Sequence, residues 1–272
     1  MLTFFQQRIL ALNNSTGFNA VKAYLSGCSY YTLKFNNATF ITLVLCFILV
    51  FFSSSKALAD GVVVDKVYHP YVLPNEREVE WRMLAQREND KSNDLAHRFA
   101  YGQSITNSLM LELYLVGERD IKDNFSLTAY EIEARLMLTE QGQYWADWGM
   151  LFELEKEHRV DNWEITSGIL VEKEFDRTSL TLNAFLIYEW GETREDEFET
   201  EFRFQARYRY LEQFQPAIEV YSGEGYLGLG PAFMGIQRFS DQKQFKWETA
   251  FITGVNSESQ GHILRVAIEY EF

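Results

Sequence analysis

The sequence predicts an all-β fold: a closed antiparallel transmembrane β-barrel of about 12 strands joined by short turns. Three observations predict it. Apolar and polar residues alternate with period two over most of Glu76 to Phe272. A short, strongly apolar segment of export type precedes that region. The two cysteines, Cys28 and Cys46, both lie ahead of it, so the barrel region has no disulfide and no thiolate metal site.

Residues 1–59 read as a leader and signal peptide. They hold four bases (Arg8, Lys22, Lys34 and Lys56) and no acid, whereas all 39 acids of the chain lie from Asp60 onward. A charge asymmetry of this size marks a boundary between functional pieces. Phe40 to Phe52 is a nearly continuous apolar run of 13 residues. A membrane-spanning helix needs roughly 20, so the run fits a signal core better than an anchor. Ala57-x-Ala59 supplies the small-residue pattern for cleavage after Ala59, which leaves Asp60 first. The stretch ahead of Lys34 is long for a signal; a start site assigned too far upstream is the favoured explanation over a long leader. Cys46 lies inside the apolar run without the small residues that precede a lipidated cysteine.

Residues 60–75 are expected to form an N-terminal tether. Gly61-Val62-Val63-Val64-Asp65 has a faint likeness to the energy-coupling box of large plugged receptors, but those barrels have about 22 strands and this chain is too short. The stretch Tyr68-His69-Pro70-Tyr71-Val72-Leu73-Pro74 carries two prolines and cannot pair as a central strand. A periplasmic tether is the expected role; the alternative is that it tucks into the barrel mouth. A lone His69 in no cluster makes a poor metal site.

Residues 76–272 are the barrel. Glu199 to Tyr210 shows the pattern most cleanly. Phe202, Phe204, Ala206, Tyr208 and Tyr210 fall on one face, and Glu199, Glu201, Arg203, Gln205, Arg207 and Arg209 on the other. Segments of this kind are expected near 76–87, 94–103, 108–116, 124–138, 144–156, 162–174, 178–190, 197–210, 215–222, 227–239, 243–254 and 261–272. Turn chemistry separates most of them, including Gly117-Glu118-Arg119, Glu140-Gln141-Gly142 and Asp176-Arg177. The ninth and tenth segments, rich in glycine and containing Pro216 and Pro231, are the weakest.

A soluble sandwich would alternate in the same way, so the location rests on further features. Aromatic residues gather near strand ends on the presumed outer face, as in an interfacial girdle: Trp81, Tyr101, Trp148, Trp163, Tyr188, Trp190, Tyr208, Tyr210 and Tyr270. The chain ends Arg265-Val266-Ala267-Ile268-Glu269-Tyr270-Glu271-Phe272. This ending, with the export signal and the alternating strands, resembles Gram-negative outer-membrane β-barrel proteins as a broad class. The resemblance implies location in the outer membrane. It also implies that Tyr270 and Phe272 serve as the signal read by the barrel-assembly machinery, with outer-membrane lipid around the barrel.

Turning apolar faces to lipid points the charges inward. Lumen candidates are Glu112, Glu131, Glu133, Arg135, Glu153, Glu199, Glu201, Arg203, Arg207, Arg209, Arg265 and Glu269. A surplus of acid implies a channel for small solutes that favours cations. The alternative is a barrel closed by its own Glu–Arg networks, with a structural or partner-binding role at the envelope; a lipid-modifying enzyme ranks third. No catalytic residue is assigned: none of His69, His97, His158 and His262 has serine two residues on or aspartate two residues before it. No cofactor or metal is expected, and a net charge of −14 argues against nucleic acid.

Overall fold

A computed structural model describes residues 63–88, 94–119, 124–223, 225–240, 243–256, 259 and 261–272. The leader features, including Phe40–Phe52, Ala57, Ala59 and both cysteines, lie outside the described residues.

Twelve strands close into a barrel: β1 Arg77–Glu88, β2 Asp94–Ser104, β3 Leu109–Arg119, β4 Phe125–Met137, β5 Asp147–Glu157, β6 Asn162–Phe175, β7 Thr178–Gly191, β8 Glu197–Tyr208, β9 Gln215–Gly223, β10 Tyr226–Arg238, β11 Gln244–Gly254 and β12 Gly261–Glu271. Each pairs antiparallel with its sequence neighbours, and β1 closes on β12 with Glu78 opposite Glu271 and Glu88 opposite Gly261. The start of β1 and the end of β12 therefore share one rim, called here the terminal rim; the other is the far rim. All twelve expected segments form within a few residues of the expected bounds.

The alternation sorts the side chains as the membrane demands. Outward residues such as Phe99, Leu113, Leu115, Ile169, Leu186, Ile218 and Phe251 are each about half exposed, while the inward Arg82, Glu133, Glu219 and Arg265 have no exposure at all. Such a surface is the inverse of a soluble protein, and only a hydrocarbon surround removes the cost of an apolar belt this large. The aromatic girdles form. Trp163, Tyr188 and Trp190 stack at the far rim, with centroids 6.4 and 5.4 Å apart along the row. Tyr270 and Phe272 stack at the terminal rim, 6.0 Å apart.

One local feature differs from expectation. Gly117 to Arg119, expected as a turn, continues β3: a register shift between Val116 and Gly117 skips Thr128 of β4, and pairing goes on to Arg119 opposite Phe125. The glycine-rich ninth and tenth segments are regular strands because β10 needs its glycine. A Cβ on Gly230 would lie 1.8 Å from the Phe251 carbonyl oxygen, so β11 approaches more closely than any side chain permits. Beside it Pro231 has no N–H, and the β10–β11 pairing skips both residues, running from Leu229–Thr253 to Ala232–Ala250.

The segment ahead of β1 is the main departure. Expected as a periplasmic tether, with insertion into the barrel mouth as the alternative, residues 63–74 lie inside the barrel. Val63, Val64, Val67 and Val72 are at most 4% exposed. A turn at Leu73-Pro74-Asn75-Glu76 then feeds the chain into β1. It is closed by the Glu76 N–H donating to the Leu73 carbonyl at 3.3 Å, and Asn75 adopts φ of 61°, a conformation asparagine tolerates.

Candidate functional site

The lumen and its internal segment form one charged assembly. The segment runs from the far rim, where Val63 meets Gly223 at the end of β9, to the terminal rim, where Ser104 Oγ donates to the Leu73 carbonyl at 2.8 Å. It lacks ladder partners, so lumen side chains satisfy its backbone. The Asp65 carbonyl accepts from Tyr221 Oη at 2.7 Å and from Arg265. The Lys66 carbonyl accepts from Arg203 at 3.0 Å. Asn183 holds Tyr68 on both sides, accepting from its N–H and donating to its carbonyl, each at 2.8 Å.

Its side chains repeat the theme. The buried Asp65 carboxylate meets Arg82 directly, Arg203 at 3.5 Å and Arg98 at 3.6 Å. Lys66 pairs with Glu80 at 2.5 Å and Glu269 at 3.1 Å. Tyr68 packs edge-on against Phe185, whose face also carries the Arg203 guanidinium at 4.7 Å. Nearer the terminal rim His69 contacts Glu172, Tyr71 donates to Asp147 at 2.8 Å, and Pro70 lies against Gly149, where a Cβ would come within 3.0 Å. Buried pairs of this kind require full partnering, since a single unpaired charge in the lumen costs several kcal/mol. At mid-height the barrel is filled: Tyr68, Arg82, Tyr114, Tyr221 and Arg265 are each at most 2% exposed.

The lumen candidates from the sequence occupy inward-facing strand positions except Arg209, which follows the last residue of β8. Arg265 pairs with Glu219 at 2.8 Å, Glu201 with Arg203 at 2.8 Å, and Glu269 with Lys246 at 2.8 Å. Arg135 reaches Glu112 at 3.5 Å, Arg207 reaches Glu172 at 3.6 Å, and Arg98 holds Glu131 at 2.9 Å. Arg209 sits at the terminal rim with Glu174 at 2.6 Å, away from the central network. Asp65, Lys66 and Tyr68 were not marked as site residues by the sequence, and His69 was weighed only as a poor metal ligand, because the non-repeating segment that carries them offers no periodicity to read.

One region stays acid-rich. Across β3, β4 and β5 the directly opposed residues are Glu112, Glu133 and Glu153. Across β4 to β8 they are Glu131, Glu155, Glu164, Glu189 and Glu197. Like charges directly opposite on neighbouring strands destabilise a sheet, so two such rows are costly. Their counter-charges are sparse: Arg98 and Arg135 on the inner side, and Arg194 at the far rim, which bridges Glu189 at 2.5 Å and Glu157 at 3.1 Å. A cavity of about 630 Å³ opens here toward the far rim, with Asp65, Tyr68, Arg98 and Arg203 against the segment and Glu153, Glu155 and Glu164 on the wall.

The histidines form no catalytic arrangement among the described residues. His97 faces outward and stacks on Trp81 at 5.7 Å, His158 stands in the β5–β6 loop beside Tyr130, and His262 stacks on Phe251.

No family model matches the chain, and no curated protein matches it. Solved structures do. The COG4313 outer membrane channel from Pseudomonas putida F1 aligns over 77% of this chain and 100% of its own, with 13% identity and a TM-score of 0.51. The KdgM porin in complex with disordered oligogalacturonate aligns over 72% and 99%, with 12% identity and a TM-score of 0.49. Omp33 from Acinetobacter baumannii aligns over 74% and 99%, with 9% identity and a TM-score of 0.45. At these identities the likeness is one of fold. With the apolar outer belt, the closed strand order and the charged lumen, it makes this chain an outer-membrane β-barrel protein.

Proposed function

We propose that the protein is an outer-membrane channel for small solutes that favours cations, with residues 63–74 as a plug that closes the path at mid-height. The observation that carries the reading is the charge of the far-rim cavity, whose lining holds ten carboxylates against five arginines. In a low-dielectric wall such an excess concentrates cations and repels anions. The even strand count puts both barrel ends on the terminal rim, and in bacterial single-chain barrels that rim faces the periplasm, so in this reading the acidic cavity opens outward. Cleavage after Ala59 places the new N-terminus only a few residues ahead of Val63, and Tyr270 and Phe272 at the end of β12 are the elements offered to the assembly machinery.

Planar-bilayer recording tests the reading. The refolded protein in a salt gradient is expected to give a reversal potential of cationic sign, with conductance that rises when the plug is weakened. An anionic reversal potential overturns the selectivity. The ion pairs and backbone bonds that hold the plug favour a second reading, a permanently closed barrel with a structural or partner-binding role. Absence of conductance both in the native protein and in plug-weakened variants selects that second reading.

A further inference from the structure

We infer that Glu131, Glu153 and Glu155 bind one divalent cation of the hard, oxygen-seeking class to which calcium belongs. The inference builds on the channel reading, because the site lies on the proposed path, but it is tested separately.

Geometry comes first. One carboxylate oxygen from each of the three residues lies within 4.8 Å of the other two. Two oxygens at a calcium–oxygen distance of about 2.4 Å on opposite sides of an ion are about that far apart. Carboxylates alone, without imidazole or thiolate, select the hard divalent ions over zinc or copper. The strand register builds the cluster: Glu131 stands opposite Glu155, and Glu153 stands opposite Glu133, one inward position along.

Charge is the second argument. Arg98 partners Glu131 through one oxygen at 2.9 Å, and it also reaches Asp65 at 3.6 Å. Glu153 and Glu155 have no ion-pair partner among the described residues, which leaves two negative charges for a doubly charged ion. An independent observation points the same way. Glu131 is 3% exposed, and its second oxygen, Oε1, is buried with no hydrogen-bond partner. A buried carboxylate oxygen left without a donor is costly unless a cation meets it. The other carboxylate group of the lumen, Glu76, Glu78, Glu269 and Glu271, also holds buried oxygens without hydrogen-bond partners, on Glu78 and Glu271, but differs in charge. Lys66 pairs with Glu269 there, and Lys246 pairs with both Glu269 and Glu271, so lysine already supplies the positive charge. Access is available for the first group, since Glu153 and Glu155 line the cavity that opens at the far rim. Water or the substituents of a passing solute complete the coordination.

The test is calorimetric titration of calcium chloride into refolded, chelator-stripped full barrel in detergent. Folding of every variant is verified by heat-modifiable migration. One saturable site is expected, with affinity of roughly 10⁻⁴ to 10⁻³ M, in the range of weak extracellular calcium modules. The double variant Glu153→Gln/Glu155→Gln is expected to lose at least about tenfold, because affinity follows ligand charge. Glu140→Gln, in the exposed β4–β5 turn, is expected to bind like the native protein. If the double variant fails to fold, Glu155→Gln alone is measured and must still weaken binding. Absence of saturable binding by the folded native barrel, or equal binding by the folded Gln variants, overturns the site. Calcium binding without conductance, in the native protein and in plug-weakened variants alike, would remove the channel reading and leave the site standing; conductance without calcium binding would do the reverse.

Discussion

Removing the Asp65 carboxylate is the sharpest test of how the plug is held. Asp65→Ala strips one buried anion from three guanidiniums. Each keeps another acid: Arg82 has Glu80 at 2.6 Å, Arg98 has Glu131 at 2.9 Å, and Arg203 has Glu201 at 2.8 Å. Breaking a buried pair costs about 3–5 kcal/mol when the surviving charge is abandoned. Here the surviving charges are shared, so the lower figure, about 3 kcal/mol, applies. That corresponds to roughly two orders of magnitude in the ratio of docked to undocked plug. The backbone bonds to Tyr221, Arg203 and Asn183 remain in the variant, so the segment still docks but opens more often. Hydrogen exchange of the Tyr68 amide, bonded to Asn183 Oδ1 at 2.8 Å, reports that opening directly. The amide is expected to exchange about 100-fold faster in Asp65→Ala, with the β6–β7 ladder unchanged and Asp65→Asn intermediate. If Tyr68 exchanges at the native rate in a folded variant, the carboxylate does not hold the plug and the reasoning fails.

Further outcomes follow from the wall. Glu219→Ala removes the nearer acid from the fully buried Arg265, which keeps Glu248 at 3.5 Å, and is expected to lower barrel stability by about 3 kcal/mol in denaturant unfolding, whereas replacing both Glu219 and Arg265 with apolar side chains costs less. Gly230→Val forces β10 from β11 and is expected to reduce stability by about 1–3 kcal/mol, read as a lower temperature of heat-modifiable migration. Leu186→Arg, placed on the lipid face, is expected to cost about 2–4 kcal/mol in lipid-supported unfolding, and Leu186→Phe close to nothing. In the β5–β6 loop the Asp161 carboxyl is held below its ordinary range by hydrogen bonds from Lys156 and Trp163 and by the lysine charge. A depressed carboxyl keeps its contact above the unfolded pKa of about 3.9 and loses it as pH falls further. Trp163 fluorescence is therefore expected to stay flat from pH 5 to 8 and to change only in stronger acid, and a transition near neutrality contradicts that assignment.

The wall was legible in the sequence because a barrel strand repeats one instruction every two residues. Phe202, Phe204 and Tyr208 against Arg203, Gln205 and Arg207 define both faces without any partner being known. Inward charges could be named from parity, but not paired, since Arg265 and Glu219 are 46 residues apart and two strands separate β12 from β9. The plug was legible only as the second choice, a stretch that tucks into the barrel mouth, for a related reason. Its contacts reach 115 residues to Asn183 and 200 to Arg265, and its two prolines read as a loop. Gly117 misled in the opposite sense: glycine usually ends a strand, but here the register shift absorbed it. The rows of opposed glutamates were visible only as inward acids. Register turns Glu131, Glu155, Glu164 and Glu189 into neighbours, and register is set by turn lengths that parity does not encode.

The internal segment also changes the topology of the chain. Twelve strands bring a chain back to the rim where it began, yet the described chain starts at Val63 near the far rim and finishes at Phe272 on the terminal rim. It therefore passes from rim to rim thirteen times, once through the lumen. The strand that follows the internal passage is β1, which is also one side of the seam that closes the barrel on β12. The ladder that closes the barrel therefore surrounds the segment that leads into its own first strand. A pull on the segment passes through the Leu73–Glu76 turn to that seam, which couples the contents of the lumen mechanically to the joint that keeps the barrel closed.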